Sequence, residues 1–361
     1  MNRTNTMTTM AAVTAVVAVL GVGATEAKFT PYTVQDCKGY NSWPMMQAIG
    51  QRLVCTYSRG TSHNIVEGVR GVFARASDDG GKTWSNEVCV ANEPNYGEVT
   101  IGKGLDENGA MLLWVRCFGG PKNHHDLYRT KDGMTFEKIS TPSLSPLPMQ
   151  ITDVFHVPGK GMMSLWFAGN YKDDRSHSWG TLVSTDNGLT WKQTTIEKEL
   201  SKADWPTEQS AVYVGDGKIF ALARTEVSGS SGGMQFQLTS VDSGVTWKRE
   251  RTNIGDILCS TPSLVYDARS GLVSNYYFER GKGLVKRRVN ALAEVWSKPT
   301  AWAEPEIVGR GSESPWDTGN VNVTVIGNTH FLAYYSGTHP NTTVYVLPVP
   351  APKRRLQDAK E

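Results

Sequence analysis

An eight-residue phrase recurs along the chain, and its spacing constrains the fold more than any other feature. The copies are SDDGGKTW from Ser77, STDNGLTW from Ser184 and SVDSGVTW from Ser240, with a shortened copy, TKDGMTF, from Thr130. Successive copies start 53, 54 and 56 residues apart. A fixed period of this size is typical of propellers and solenoids, in which each repeat is one structural unit.

The phrase also predicts its own local structure. Asp and Gly favour a tight turn in which the Asp side chain caps neighbouring backbone N–H groups. The Thr and Trp that follow favour the start of a strand with the Trp facing inward. We call these segments, at 77–84, 130–136, 184–191 and 240–247, the Asp turns. They are predicted to be structural corners of β-hairpins and not catalytic motifs.

The sequence between the Asp turns predicts β-strands throughout. Segments of strand length are rich in Val, Ile, Tyr and Trp and are bounded by Gly, Pro, Asn or Asp. Six such units follow one another between residues 28 and 350, although the fifth and sixth lack a clean Asp turn. Six units of four antiparallel strands predict an all-β protein, a single six-bladed β-propeller.

The two ends of the chain differ from the repeats. Arg3 precedes an uncharged apolar run at 10–22 and then small residues, with cleavage expected after Ala24 or Ala27. This pattern predicts a secretory signal at 1–27, hence a secreted or periplasmic protein, the alternative being a disordered or membrane-anchoring tail. No later stretch is predicted to span a membrane, and residues 351–361 are predicted to form a flexible tail.

Net charge and cysteine spacing limit which classes of ligand the sequence predicts. A formal net charge of +2 gives no indication of nucleic-acid binding, although a local Arg cluster would select an anionic ligand. The five cysteines show no CxxC or CxxxH spacing, so neither a metal site nor a cofactor is predicted. Cys55, Cys89 and Cys117 are expected to pack as small apolar residues in strands, and at most two disulfides can form.

Propeller topology predicts where a site lies. If the Asp turns mark one face, then the starts of the innermost strands, the ends of the second strands and the loops after them converge on the other face. The residues at these positions are Glu208, Arg224, Arg280, Arg59, His63, Arg116, Arg175 and Asp153. One Glu among several Arg predicts an anionic substrate held by guanidinium groups, with the Glu acting on water. Taken singly, Arg and Glu residues in loops mostly form solvated ion pairs, and a histidine such as His63 is more often a hydrogen-bonded loop residue; it is the convergence of several that favours a site.

At this point the sequence resembles the sialidase superfamily over nearly the whole chain after residue 27. The Asp turns resemble its Asp boxes. Glu208 and Arg224 resemble its Glu, strand, turn, strand, Arg unit, and Arg280 resembles the next Arg of its carboxylate-binding triad. The resemblance implies a glycoside hydrolase in which Arg224 and Arg280 hold a sialyl carboxylate.

Three departures from the exo-sialidase pattern are visible. Ser42-Trp43-Pro44 stands where that pattern has Arg-Ile-Pro, Asn320 stands where it has a Tyr nucleophile, and Arg70 stands where it has an acidic Asp. The retained residues resemble phage endosialidases, which degrade α-2,8-linked polysialic acid. The resemblance therefore implies an inverting route without a Tyr nucleophile.

On this hypothesis Glu208 is the general base, and Arg59, His63, Arg116, Arg175 and Asp153 contact substrate. No general acid is assigned, with Asp153 and His63 as weak candidates. Alternatives are a non-catalytic glycan-binding propeller, an exo-sialidase, and a hydrolase or lyase of another acidic sugar.

Overall fold

The computed structural model describes residues 28–36, 39–64, 70–173, 175–226, 233–256 and 260–353. The predicted signal at 1–27 lies outside these residues, as does most of the predicted tail. Within the described residues no helix is long and apolar enough to cross a membrane. The helices described there are short: α1 (Leu292–Ser297) and a 3₁₀ turn at Lys202–Asp204.

Strands make up the rest of the regular structure. In chain order they are β1 (Tyr32–Gln35), β2 (Tyr40–Ile49), β3 (Arg52–Gly60), β4 (Gly71–Ser77), β5 (Val88–Ala91), β6 (Gly97–Leu105), β7 (Met111–Phe118), β8 (His124–Thr130), β9 (Glu137–Ser140), β10 (Gln150–Ile151), β11 (Phe155–Val157), β12 (Gly161–Ala168), β13 (His177–Ser184), β14 (Lys192–Leu200), β15 (Thr207–Gly215), β16 (Lys218–Arg224), β17 (Phe236–Ser240), β18 (Lys248–Arg251), β19 (Ser263–Asp267), β20 (Leu272–Glu279), β21 (Leu284–Ala291), β22 (Glu306–Arg310), β23 (Thr318–Ile326), β24 (Thr329–Thr338) and β25 (Asn341–Pro350).

The strands form a β-propeller arrangement, but not six separate blades. Four sheets have the form of a blade: β6–β9, β10–β14, β15–β18 and β19–β22. The remaining strands form one eight-stranded sheet in the order β23-β24-β25-β2-β3-β4-β5, with β1 paired to β25. The predicted count of six is therefore wrong, because hydrogen bonding merges the first and last predicted units into one sheet.

The merger depends on a short join between the two ends of the chain. Tyr40 pairs in parallel with Thr342, and the Thr342 hydroxyl donates to the Asn41 carbonyl at 2.5 Å. The Asn41 amide donates to the Thr342 carbonyl at 3.0 Å, and the Gly39 N–H donates to Asn341 Oδ1 at 2.9 Å. These bonds satisfy strand-edge groups that would otherwise be exposed, and they close the ring.

The core lies between neighbouring sheets. Trp114 of β7 and Trp166 of β12 are buried in one cluster, which joins the second and third units. Trp179 and Trp205 are buried in the next cluster around the ring. Large aromatic side chains between twisted sheets bury most of the apolar area, so each sheet is stabilised by both of its neighbours.

The cysteines only partly follow expectation. Cys55 and Cys117 are buried in strands, as predicted, and both are free thiols. Cys89 is also free but exposed, because its side chain lies on the outward face of the short strand β5. Cys37 and Cys259 lie outside the described residues.

The Asp turns share one hydrogen-bonding pattern. Asp242 Oδ1 accepts from the backbone N–H groups of Val245 and Thr246, at 3.1 and 2.8 Å, and Oδ2 accepts from the Thr246 hydroxyl at 2.6 Å. The Trp247 indole donates to the Gly244 carbonyl at 3.0 Å. These bonds hold the pKa of Asp242 below its usual value, chiefly through the Thr246 hydroxyl. Asp79, Asp132 and Asp186 make corresponding bonds in their turns.

We predict that Asp242→Ala lowers the free energy of unfolding by about 1–3 kcal/mol, because it leaves turn N–H groups without their acceptor. Urea unfolding measures the change. The matched control is Val241→Ala in the same turn, whose side chain is 64% exposed and which we expect to leave stability nearly unchanged. Equal effects of the two substitutions would contradict a specific role for the carboxylate.

A buried histidine makes stability depend on pH. His330 of β24 is 3% exposed, and its Nδ1 lies 2.7 Å from the Tyr276 hydroxyl. Burial, together with Arg287, lowers the pKa of His330 to about 4. The unfolded chain therefore takes up this proton at a higher pH than the folded chain, and the stability from neutral His330 is lost as pH falls from about 6.5 to 4.

We predict that His330→Gln, which keeps an acceptor for Tyr276, flattens this loss. The contribution removed is at most about 3 kcal/mol between pH 6.5 and 4. Denaturant unfolding across this range measures it, with the exposed His156→Gln as control. A His330→Gln profile that parallels the wild-type profile would exclude this assignment.

Candidate functional site

A cleft of about 380 Å³ lies where the innermost strands and the loops after the second strands meet. Its size falls within the usual range for small-molecule sites. The lining residues are Trp43, Met45, His63, Asn64, Val99, Thr100, Ile101, Arg116, Met149, Gln150, Phe167, Tyr171, Glu208, Arg224, Arg280, Trp316 and Asn320. The cleft thus brings together Glu208, Arg224, Arg280, His63 and Arg116 of the predicted residues.

Strained backbone aims three of these side chains into the cleft. Trp43, Glu208 and Asn320 have positive φ angles of 50°, 45° and 50°. Each lies at a register shift in an innermost strand: β2, β15 and β23. A β-bulge redirects one side chain out of the strand alternation, and non-glycine residues at positive φ persist only where their surroundings hold them.

Arg224 is held between two carboxylates. Its Nη1 donates to Glu208 Oε1 at 2.8 Å, and its Nη2 donates to Glu226 Oε2 at 2.9 Å. Burial opposes the charged guanidinium, but Glu208 and Glu226 outweigh burial and raise the pKa of Arg224. The Thr207 hydroxyl donates to Glu226 at 2.5 Å and fixes the outer carboxylate.

Glu208 has both carboxylate oxygens engaged. Oε1 accepts from Arg224, and Oε2 accepts from the Thr261 hydroxyl at 2.7 Å. Its side chain is 14% exposed. A carboxylate fixed in this way retains lone pairs toward the cleft and is positioned to orient a water molecule.

Arg280 is held by neutral acceptors only, among the described residues. Its Nε donates to the Thr318 carbonyl at 2.6 Å, and Nη2 donates to Asn320 Oδ1 at 3.0 Å and to the Tyr335 hydroxyl at 3.3 Å. Gly319 permits this approach, because a Cβ there would lie 2.6 Å from Arg280 Nε. The guanidinium charge is therefore oriented but not neutralised by a carboxylate.

His63 lies in an aromatic surround. Its Nδ1 is 3.3 Å from the Tyr40 hydroxyl, and its ring contacts those of Trp43 and Trp316, with centroids 5.5 and 6.0 Å away. Burial, and then the charge of Arg280, lower the pKa of His63 to about 4. The imidazole is therefore neutral at neutral pH, which makes it a poor proton donor.

Arg116 has no ion pair or hydrogen bond within the described part of the chain. It lines the cleft from the end of β7, with its guanidinium 5.5 Å from the Phe118 ring. Burial lowers the pKa of Arg116, since the charged form loses hydration. An unpaired guanidinium at a cleft wall is available to an anionic ligand.

Three predicted residues do not line the cleft. Arg59 is turned away because its guanidinium forms a bidentate ion pair with Glu87 and stacks on Phe73. Asp153 lies between β10 and β11, where it pairs with Lys103 at 3.2 Å. Arg175 is exposed in the loop after β12, with φ of 65°, and is absent from the lining.

Arg70 was identified from the sequence only as a departure from the exo-sialidase pattern, and its place behind the cleft was not predicted. It is 1% exposed and lies 4.9 Å from the Trp43 ring, behind the cleft wall. Burial lowers the pKa of Arg70 to about 10, partly offset by Tyr40 and Tyr335. The available signal was its place just before β4, in a loop on the cleft face, beside Gly60, where a Cβ would lie 2.5 Å from the guanidinium carbon.

Two exposed aromatic rings that line the cleft were also missed. Trp316 is 56% exposed and Tyr171 is 39% exposed, although both line the cleft. Tyr171 packs against Trp205, with ring centroids 5.4 Å apart. Exposed aromatic rings that flank a polar cleft are suited to contact the apolar faces of a ligand.

Comparison with solved structures shows the fold. A protein of unknown function from Dyadobacter fermentans is 16% identical, with a TM-score of 0.68, covering 89% of this chain and 99% of that chain. The NanB sialidase from Streptococcus pneumoniae is 13% identical, with a TM-score of 0.67, and the match covers 90% of this chain and 70% of that chain. The phage phi92 endosialidase is 11% identical, with a TM-score of 0.66, and the match covers 91% of this chain and 70% of that chain. The chain therefore has a sialidase-type propeller fold.

Sequence comparison adds no relative. No protein-family model matches the chain, and no curated protein matches it. Because a shared fold does not establish a shared function, the chemistry of the cleft is argued from its own residues.

Arg224 and Arg116 should differ in how the loss of their charge affects stability. We predict that Arg224→Met lowers the free energy of unfolding by about 3–5 kcal/mol, because it leaves Glu208 and Glu226 unpaired in a buried place. We predict that Arg116→Met leaves stability unchanged or raises it, because no partner is lost. Denaturant unfolding of both variants measures this. A large loss of stability on Arg116→Met would show that the guanidinium has a structural partner.

Proposed function

We propose that this protein is a sialidase-like glycoside hydrolase that acts on glycans containing sialic acid, with polysialic acid linked α-2,8 as the favoured substrate. The observation that carries the proposal is the Glu208–Arg224 pair, 2.8 Å apart, in one cleft with Arg280 and Arg116. Hydrolysis of a carboxylated sugar requires cations that bind the sugar's carboxylate and a carboxylate that orients the attacking water.

The charge balance favours a carboxylated sugar. Arg224 is paired with two glutamates, whereas Arg280 and Arg116 have no carboxylate partner among the described residues. A sialyl carboxylate bound by Arg280 would supply the missing anion, and guanidinium groups bind carboxylates in a fork geometry. Arg224 would hold Glu208 in place and contribute its charge to the same ligand.

The mechanism proposed is inverting. Glu208 is the only carboxylate among the described lining residues, so the usual pair of carboxylic groups is absent there. Asn320 cannot serve as the nucleophile, because its side chain is an amide without a hydroxyl group. Its amide oxygen accepts a hydrogen bond from Arg280. Glu208 would act as general base on a water molecule. Neither earlier candidate suits the general acid: His63 has a pKa of about 4, and Asp153 is paired with Lys103 outside the lining.

The architecture is compatible with a chain-like substrate. Strands β2 and β23 of the eight-stranded sheet both carry residues that line the cleft, namely Trp43 and Asn320. Trp316 and Tyr171 would then contact sugars on either side of the one held by Arg280. We also propose secretion or periplasmic location, on the apolar run at 10–22 and the small residues after it.

A non-catalytic glycan-binding propeller is the second candidate. It is favoured by the engagement of both Glu208 oxygens and by the single carboxylate of the described lining. An exo-sialidase, or a hydrolase or lyase of another acidic sugar, would use the same cations. Such enzymes would differ from the first proposal in the substrate that they turn over.

The experiment is hydrolysis of α-2,8-polysialic acid, sialyl-lactose and polygalacturonate by wild type, Glu208→Gln and Arg280→Met. We predict turnover of polysialic acid, a loss of about 100-fold or more in kcat for Glu208→Gln, and weaker binding for Arg280→Met. Arg269→Met, in the turn between β19 and β20, is the matched control and should behave as wild type.

The outcomes separate the candidates. Turnover of sialyl-lactose alone indicates an exo-sialidase, and turnover of polygalacturonate alone indicates a uronate enzyme. Binding of polysialic acid without turnover identifies a glycan-binding propeller. Neither binding nor turnover of any of the three glycans removes the proposal.

A further inference from the structure

Four chemically distinctive side chains lie on one face of the second sheet. Glu98 of β6 is directly opposite Cys117 of β7, which is directly opposite His124 of β8. Asp126, two residues after His124, faces the same way. One ligand atom from each of Cys117, His124 and Asp126 lies within 4.8 Å of the others. We call Cys117, His124 and Asp126 the thiol triad.

The distances within the thiol triad match a metal's coordination sphere. Cys117 Sγ is 3.8 Å and His124 Nε2 is 3.5 Å from the same oxygen, Asp126 Oδ2. Ligand atoms placed about 2.0–2.3 Å from a tetrahedral Zn²⁺ are separated from one another by about 3.3–3.8 Å. Two of the three separations therefore lie near the spacing that a tetrahedral ion imposes on its ligands, and the third is at most 4.8 Å.

The histidine tautomer also suits a metal. His124 Nδ1 lies 2.9 Å from the Lys122 carbonyl oxygen, which can only accept. Nδ1 therefore carries the proton, and in the neutral ring the Nε2 lone pair faces the Asp126 carboxylate. A backbone carbonyl that fixes the far nitrogen of a ligating histidine is a common second-sphere arrangement. A cation between Nε2 and Oδ2 relieves the repulsion of their lone pairs.

The surrounding charge favours a cation. Glu98 is fully buried and Asp126 has a side chain only 1% exposed, and Glu93 lies next to them. The cation that faces them is Lys138, whose Nζ is 3.1 Å from Asp126 Oδ2 and 3.3 Å from Glu93 Oε1. Lys138 is 41% exposed on a flexible stem, so it can leave toward solvent.

We propose that the thiol triad binds one Zn²⁺-like transition-metal ion through Cys117 Sγ, His124 Nε2 and Asp126 Oδ2, with water as the fourth ligand. On binding, the Cys117 thiol releases its proton to solvent and forms a sulfur–metal bond, and the Lys138 ammonium moves away from Asp126. Thiolate and imidazole ligands select zinc and its neighbours over Ca²⁺ or Mg²⁺, and zinc also accepts a carboxylate oxygen.

The site would fix one wall of the cleft. Cys117 and His124 flank the loop at 119–123, and Arg116 precedes Cys117 on the opposite face of β7. A bound ion would hold this hairpin closed and thereby position Arg116 without touching a ligand in the cleft. The proposed role is structural, and it does not depend on the proposed hydrolase activity.

The test uses Co²⁺ as a spectroscopic probe of the purified full chain, followed by displacement with Zn²⁺. We expect one equivalent of Co²⁺ to bind with a thiolate-to-cobalt charge-transfer band and tetrahedral d–d bands. Cys117→Ser should abolish the charge-transfer band, and His124→Gln should weaken binding by about 100-fold or more. Circular dichroism establishes that each variant is folded.

Matched controls are available in the chain. Cys89→Ser removes the exposed thiol and His156→Gln an exposed imidazole, and neither should change the spectrum. Lys138→Met removes the competing ammonium and should tighten Co²⁺ binding by about tenfold. A band that survives Cys117→Ser, a band lost in Cys89→Ser, no band in wild type, or weaker binding in Lys138→Met would each overturn the proposal.

Discussion

The constraint on which the cleft depends is the bulged, left-handed backbone of its innermost strands. Trp43, Glu208 and Asn320 adopt positive φ although none of them is glycine, and they do so at corresponding places in three strands. Such conformations are costly in isolation and are held by packing between neighbouring sheets. The core therefore stabilises the cleft geometry directly, and side chains from distant parts of the sequence reach one small volume.

A second consequence of that geometry is an uneven distribution of charge. Glu208 and Glu226 raise the pKa of Arg224, whereas burial lowers the pKa values of Arg116 and Arg70. Arg224 is paired with two carboxylates and holds Glu208, whereas Arg280 and Arg116 have no carboxylate partner among the described residues. The arginines of one cleft thus lie in two different electrostatic environments, which are set by their local partners.

Sequence periodicity was sufficient to predict an all-β propeller, since the Asp turns repeat with the spacing of a structural unit. The propeller topology also predicted correctly that Glu208, Arg224 and Arg280 lie in one cleft. The same argument was wrong for Arg59 and Asp153, because they form ion pairs with Glu87 and Lys103, which no local sequence pattern predicts. Six separate blades were not found, because pairing between Tyr40 and Thr342 depends on both ends of the ring. The thiol triad was missed because hairpin pairing, and not a short motif, brings Cys117 to His124.

The join between the two ends of the ring has a consequence for the order in which the molecule forms. Gly39 and Asn341 are separated by 302 positions, so their contact has one of the longest loops that the chain can close. Contacts of such separation slow folding, because loop-closure entropy is lost before they form. During synthesis Trp43 emerges early, whereas Trp316 and Asn320, which line the same cleft, emerge near the end of the chain. A chain that stops before β23 therefore lacks part of the cleft lining together with the strands that complete the eight-stranded sheet.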